Sequence, residues 1–206
     1  MPITVWPADP TDPEALAQRL LSTFTRPGQL TIALHPHPGL VIAAGLGGHR
    51  LAAVSTRRRD TELLTQLADR HAAGPRRARL RVEHTVHRYL SAALRAAAGK
   101  AHLLVAPAAV RVEHLRPAAD TLQPGGHLVL TTDEHSTGPW AVSAEQRAVL
   151  REAGLIYLQH IVAVHATVVD GAWQPAGDPD EPDGGEHGRI HHDLYVFGRP
   201  GAGSRR

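Results

Sequence analysis

The chain contains no cysteine. That excludes disulfides, thiol catalysis and cysteine-ligated zinc. Lysine appears once, at Lys100, so arginine supplies nearly all of the positive charge and holds it at any relevant pH. Aromatic residues make up 4% of the sequence, which leaves few rings for stacking on bases. No apolar run approaches the ~20 residues of a membrane span. Pro2, Trp6, Asp9 and Asp12 stand where a secretion signal needs a basic start and an apolar core. These absences predict a soluble, cytoplasmic protein with no membrane partner.

What is present is enough for one well-buried domain. The 206 residues are 42% hydrophobic, near the globular norm. The expected organisation is a single domain over 1–200, with a flexible acidic Pro/Gly-rich loop at 170–190 and a frayed tail at 201–206. The formal charge is only +2, so net charge says little about partners. Its distribution says more: Arg57–Arg59 and Arg76, Arg77, Arg79, Arg81 form two basic clusters, opposite an acidic stretch from Asp170 to Glu186.

Periodicity and caps predict the elements. Asp12 is an N-cap and Pro13 suits a first helical position, which starts a helix to Thr25 with Leu16, Leu20, Leu21 and Phe24 on one face. Leu30 to Leu34 reads as a strand. Leu40 to Leu46 reads as a short helix closed by Gly47-Gly48 in a left-handed cap. Strands follow at His49 to Ser55, Ala78 to His84 and Ala101 to Val105. Helices are expected over Asp60 to Ala72, with Leu63, Leu64 and Leu67 inward, and over Val86 to Ala98, with Tyr89, Leu90 and Leu94 on one side. Ala109 to Leu122 reads as a helix interrupted near Pro117. "LQPGGHLVLTT" then gives a helix end, a turn and a fifth strand. Ser143 and Gln146 form a capping box for a helix to Ala153. Leu155 to Val169 and "HHDLYVFGRP" are the last strands.

Strands alternate with helices through five repeats, which predicts a mostly parallel sheet covered on both faces. The last two strands have no helix between them, so they should pair antiparallel at one edge. The expectation is an α/β, seven-stranded, mostly parallel sheet with an antiparallel C-terminal hairpin.

On these residues the chain resembles the S-adenosylmethionine (SAM)-dependent DNA methyltransferases of the amino class, which act on N4-cytosine or N6-adenine. "RPGQLTIALHPHPGLVIAAGLGGHRLAAVS" resembles their opening strand, cofactor loop and helix. "LQPGGHLVLTT" resembles the strand after their catalytic segment. "AEQRAVLREAGLIYLQHIVAV" and "HHDLYVFGRP" resemble their closing helix and hairpin. The likeness runs from about Val5 to Pro200. It implies a Rossmann-like methyltransferase fold, SAM as cofactor and, if the chain is active, DNA-type methyl transfer from SAM to an amine beside Ala106-Pro107.

The departures fall on the motifs that carry chemistry. The family's loop, Asp-Pro-x-x-Gly-x-Gly, brings backbone N–H groups against the cofactor. Here it reads His35-Pro36-His37-Pro38-Gly39, so only Pro36 and Gly39 match and His35 replaces the acid. Ser55 stands where an acid should accept the ribose hydroxyls, and offers one weak bond for two charge-assisted ones. The family's catalytic (Asp/Asn/Ser)-Pro-Pro-(Tyr/Phe) becomes Ala106-Pro107-Ala108-Ala109, with the polar acceptor and the stacking ring both gone. Glu83 alone survives in kind, at the position that contacts the adenine. The implied cofactor-binding positions are therefore His35, Pro36, Gly39, Ser55 and Glu83, and the catalytic position is Ala106-Pro107. Weak or absent SAM binding is expected.

Two other readings stand beside this one. A degenerate domain could bind DNA, RNA or a protein partner through a basic face built from Arg57, Arg58, Arg59, Arg76 and Arg77. Arg57–Arg59 could instead meet the 2′-phosphate of an NADP-type dinucleotide, but Gly45, Gly47 and Gly48 lie after the helix, at the wrong end for a dinucleotide loop. His35 and His37 are two imidazoles where zinc needs three or four ligands, and His191-His192-Asp193 reads as a solvated edge. No metal site is predicted. No Gly-x-Ser-x-Gly elbow supports hydrolase chemistry.

Overall fold

The computed structural model describes residues 3–8, 12–72, 74–132, 142–169, 172–175 and 191–201. Nine strands form one sheet: β1 (Ile3–Ala8), β2 (Leu30–Leu34), β3 (Arg50–Ser55), β4 (Leu80–His84), β5 (Ala101–Pro107), β6 (Leu122–Thr131), β7 (Ile156–Val169), β8 (Ala172–Pro175) and β9 (His191–Gly198). The helices are α1 (Pro13–Phe24), α2 (Pro38–Gly47), α3 (Arg58–His71), α4 (His87–Ala96), α5 (Val112–Thr121) and α6 (Ala144–Glu152). The strand order is β1-β7-β9-β6-β5-β2-β3-β4, with β8 on β7. All neighbours along that order are parallel except those of β9, which runs against both β6 and β7.

The predicted alternation and the antiparallel C-terminal pair are present. The two faces are buried separately. Leu20, Leu21, Val41, Ala44, Leu64 and Ala68 of α1–α3 cover one face, against Ala33, Leu51, Ala53, Leu103 and Val105. Leu90, Leu94, Leu115, Ala118 and Leu150 of α4–α6 cover the other, against Ile32, Leu34, Leu104, Leu128 and Leu130. Helix α2 is apolar almost all round because it lies between α1 and α3, and it buries every residue from Gly39 to Gly45.

The caps match the expectation. Asp12 accepts from the Ala15 N–H at 3.0 Å. Ser143 and Gln146 form the reciprocal capping box. Gly48 closes α2 with φ of 69°.

Several expectations are corrected. The sheet has nine strands rather than seven. β1 was not expected; it alternates Ile3 and Val5 outward with Trp6 and Ala8 inward, and its Pro7 is tolerated on an edge strand. β1 also takes the sheet edge from the hairpin, because β9 inserts between β6 and β7. β8 lies inside the segment expected to be an irregular loop, and the rest of that loop, with Asp170, Gly171 and 176–190, falls outside the described residues. So do 202–206 of the tail. Leu63 and Tyr89 are exposed, because the neighbouring helix positions Leu64 and Leu90 take the inward face. Pro117 is buried within a continuous α5. β6 begins at Leu122, paired with Ala101, before the Pro124-Gly125-Gly126 turn bulges out and pairing resumes at His127 with Leu103. Gly126 has no room for a side chain there, since a Cβ would meet the carbonyl oxygens of Ala101 and Gln123 at 3.0 Å.

Among the described residues no helix is long and apolar enough to cross a membrane.

Candidate functional site

Ligands of open α/β sheets bind at the carboxyl edge of the parallel strands, where the strand order reverses. Here that point lies between β2 and β5. The chain leaves β2 at His35 and leaves β5 after Pro107, so both sequence-predicted segments arrive at one place.

His35 has φ of 47°, the one left-handed non-glycine among the described residues. Its N–H donates to the Val54 carbonyl at 2.8 Å, which ties the loop to β3. Its Nδ1 lies 3.5 Å from Ser55 Oγ and its Nε2 lies 3.4 Å from Thr56 Oγ1. Burial, then His87, Arg57 and His114, hold its pKa below the ordinary histidine value, while Asp60 acts in the opposite sense. Pro36 is buried and His37 is the N-cap of α2. The Gly39 N–H, the one glycine donor of the loop, is taken by His37 Nδ1 at 3.2 Å.

Ser55 is fully buried at the end of β3. Its hydroxyl accepts from the Arg57 N–H at 3.1 Å and donates to the Arg57 carbonyl at 3.3 Å. Glu83 on β4 is paired with Arg81, two residues away on the same face of the strand. Thus His35 and Ser55 are brought together, whereas Glu83 already has a cation.

The segment after β5 is closed. Ala106 and Ala108 are buried. The Pro107 carbonyl accepts from the Val110 N–H at 2.9 Å. Gln146, itself buried, reaches across from α6 and donates from one Nε2 to the carbonyls of Ala108 at 2.8 Å and Val110 at 3.1 Å. The same side chain accepts from the Ser143 N–H at 2.8 Å. The capping box was legible in the sequence; the clamp at its other end was not.

Two further histidines join the edge. His87 opens α4 and lies 3.3 Å from Thr56 Oγ1 through its Nε2. His114, in the first turn of α5, is buried, and its Nδ1 shares a hydrogen bond with Ser91 Oγ at 2.9 Å. Neither was singled out in the sequence. Each belongs to the first turn of a helix that follows a parallel strand, and that position alone puts it at the carboxyl edge.

The two arginine clusters do not form one face. Arg57, Arg58 and Arg59 follow β3 and sit exposed at the carboxyl edge, with Arg58 paired to Glu62 at 3.2 Å. Arg76, Arg77 and Arg79 lie in the 3-10 turn that leads into β4, so they occupy the amino edge. Helix α3 separates the sets by its 14 residues, or ~20 Å. The expectation of a shared face overlooked strand direction. Arg76 donates to the Leu46 carbonyl, Arg79 to Gly48, and Arg77 to Leu80 and Asp69. These side chains staple the end of α2 and the turn into β4. Replacing Arg76 and Arg79 together by alanine should therefore lower stability by about 1–2 kcal/mol in urea unfolding. The Arg57–Arg59 triple alanine variant should change it by less than about 0.5 kcal/mol.

At the other end of the sheet, Asp193 on β9 accepts from His160 Nε2 at 2.7 Å, and His160 stacks on Tyr195 at 4.7 Å. His191 Nε2 lies 3.7 Å from the same carboxylate. This is an interior strand pair, which corrects the expectation of a solvated edge. Of the tryptophans, Trp6 is buried under Arg19, Trp173 belongs to β8, and Trp140 falls outside the described residues. Among those residues no group of three His, Asp or Glu is placed to hold a metal ion.

No protein-family profile matches the chain, and no characterised protein matches it in sequence. Solved structures do match it in fold. It is similar to geranyl diphosphate C-methyltransferase from Streptomyces coelicolor A3(2), solved with Mg2+, geranyl diphosphate and S-adenosyl-L-homocysteine. The TM-score is 0.58 at 12% identity, over 90% of this chain and 77% of that one. A TehB-like SAM-dependent methyltransferase from Corynebacterium glutamicum gives 0.54 at 12% identity, over 89% and 86%. A Pyrococcus horikoshii protein assigned as a transferase gives 0.58 at 12% identity, and the chain spans 63% of its length. These likenesses define a Rossmann-like methyltransferase fold. At such identities they define the fold alone.

Proposed function

We propose that this chain is a methyltransferase-fold module, related to the amino-class DNA methyltransferases, that no longer transfers methyl groups and instead binds a phosphate-bearing partner at its carboxyl edge. Gln146 carries the reading. The segment that would hold a target amine has its carbonyls occupied by a buried amide from α6. An amine arriving there would have to compete with that amide for carbonyls that already accept a hydrogen bond.

The cofactor side agrees. A SAM carboxylate needs free loop N–H groups, and the Gly39 N–H is already taken by His37. A ribose needs an acid, and Ser55 is buried with its hydroxyl committed to Arg57. The residues present do not fit that cofactor in the family's manner. The exposed Arg57–Arg59 at the same edge favour an anionic partner.

Isothermal titration with SAM tests this. The missing ribose contacts alone should weaken binding by at least about tenfold. The expected result is no saturable heat at micromolar cofactor. A low-micromolar dissociation constant would overturn the reading.

A further inference from the structure

The carboxyl edge holds a run of imidazoles that the loss of methyl transfer does not explain. His87 neighbours both His35 and His114, with ring centroids 6.3 Å and 6.2 Å away. They come from three different elements: the end of β2, the start of α4 and the start of α5. One hydroxyl, Thr56 Oγ1, lies 3.4 Å from His35 Nε2 and 3.3 Å from His87 Nε2. His114 Nε2 is buried and has no hydrogen-bond partner; the nearest acid, Glu113, is 3.9 Å away. A buried imidazole nitrogen left unbonded is uncommon.

Three of the four helices that start around these histidines have no side-chain cap; α2, capped by His37, is the exception. Helix α3 starts after Arg57, α4 after Val86 and α5 after Arg111, and none of these side chains accepts from the first turn. Helices α1 and α6, elsewhere in the fold, are capped by Asp12 and Ser143. The positive ends of three helices without side-chain caps therefore face the histidines.

We propose that His35, Thr56 and His87, with Arg57 and the first turns of α3 and α4, bind a phosphoryl oxyanion. The inference rests on the reading of this edge as an anion-binding surface and names the group it takes. Imidazole N–H, hydroxyl, guanidinium and helix N–H groups are all donors, and a phosphoryl group is all acceptors. The contacts within the network are long, at 3.3–3.5 Å, so the weak bonds an anion would replace are easily exceeded by charge-assisted ones. A cation is disfavoured by Arg57.

The charges that face His35 are His87 from α4, Arg57 and Asp60 at the start of α3, and His114 from α5. All but Asp60 disfavour its protonation. A bound dianion reverses that balance. By linkage, binding an anion should raise the His35 pKa.

The test is NMR of the histidine Cε1–Hε1 signals in the full chain, titrated between pH 8 and 5. The probes are inorganic phosphate, a nucleoside monophosphate and a short DNA duplex. The expected result is movement of His35 and His87 with at least one probe, a His35 pKa raised by about half a unit or more, and no change at His160. Whichever probe works identifies the carrier of the phosphoryl group. His87 is exposed, so His87→Ala should fold; it should weaken binding about tenfold, and His87→Gln should recover part of the loss. If no probe moves the two signals at tens of millimolar, or if His87→Ala binds as wild type does, the site is refuted. Duplex binding that leaves His35 and His87 unmoved refutes this site but spares the phosphate-binding role. Tight SAM binding alongside the expected shifts refutes the loss of transfer but spares the site.

Discussion

Gln146→Ala should destabilise the protein by about 3–5 kcal/mol. The substitution strips the buried carbonyls of Ala108 and Val110 of their donor, and each orphaned buried group costs about 1–3 kcal/mol. It also removes half of the capping box of α6, where a lost cap typically costs about 1 kcal/mol. Against a domain stability of about 5–15 kcal/mol, that is a large fraction. Gln146→Glu separates the two contributions. A carboxylate still accepts from the Ser143 N–H, but it turns an oxygen toward two carbonyls. The charged variant should be at least as unstable as the alanine variant at pH 7. Relative to the wild type at the same pH, it should regain stability as acid protonates the carboxylate, which can then donate once more. Urea unfolding of the three proteins decides the matter. Wild-type stability in Gln146→Ala would show that water replaces the amide and that the segment is not sealed.

Acid should begin to destabilise this protein above the pH at which carboxylates titrate. Burial depresses the pKa of His35, His49, His102, His114 and His127, with desolvation the largest cause in each. The burial is structural: His127 packs on Phe24 at 5.1 Å, and His102 Nδ1 is buried without a partner. In the unfolded chain these groups protonate near pH 6.5; in the folded chain they protonate lower. Between those values the unfolded state binds more protons, so stability rises with pH there and falls as pH drops below about 6.5. Each fully displaced proton contributes at most about 1.4 kcal/mol per pH unit. Acting together, they should lower stability progressively between pH 7 and pH 5. Urea midpoints at pH 8, 7, 6 and 5 should be level at first and then decline. A midpoint that holds or rises toward pH 5 would contradict the burial of these rings.

Local signals in the sequence account for most of the helices and the central strands. Asp12, Gly48 and the Ser143–Gln146 box work through bonds spanning a few residues, so they are visible in a linear reading. β1 is not visible in that way. Its six residues include a proline, and its reason to be a strand is β7, far along the chain. The same blindness affected the arginines. Arg57 and Arg76 are close in sequence but sit at opposite ends of parallel strands. At the site, His35 and Ser55 were placed together because each ends a strand. Gln146 shows in the sequence only as a cap, since its clamp joins residues 36 and 38 positions apart.

The pairing of β1 with β7 also sets an order of events during synthesis. Ile3 lies against His160 and Ala8 against His165, so β1 must wait for β7 to be made. At ribosomal speeds of about 5–20 residues per second, the wait is roughly 8–30 s. Throughout it, Trp6 and Ala8 have no β7 to lie beside, and an unpaired strand with apolar side chains is a template for the wrong neighbour. Pro7 withholds one backbone donor from any such neighbour. The residue that makes β1 hard to recognise as a strand is also the one that keeps it from pairing too early.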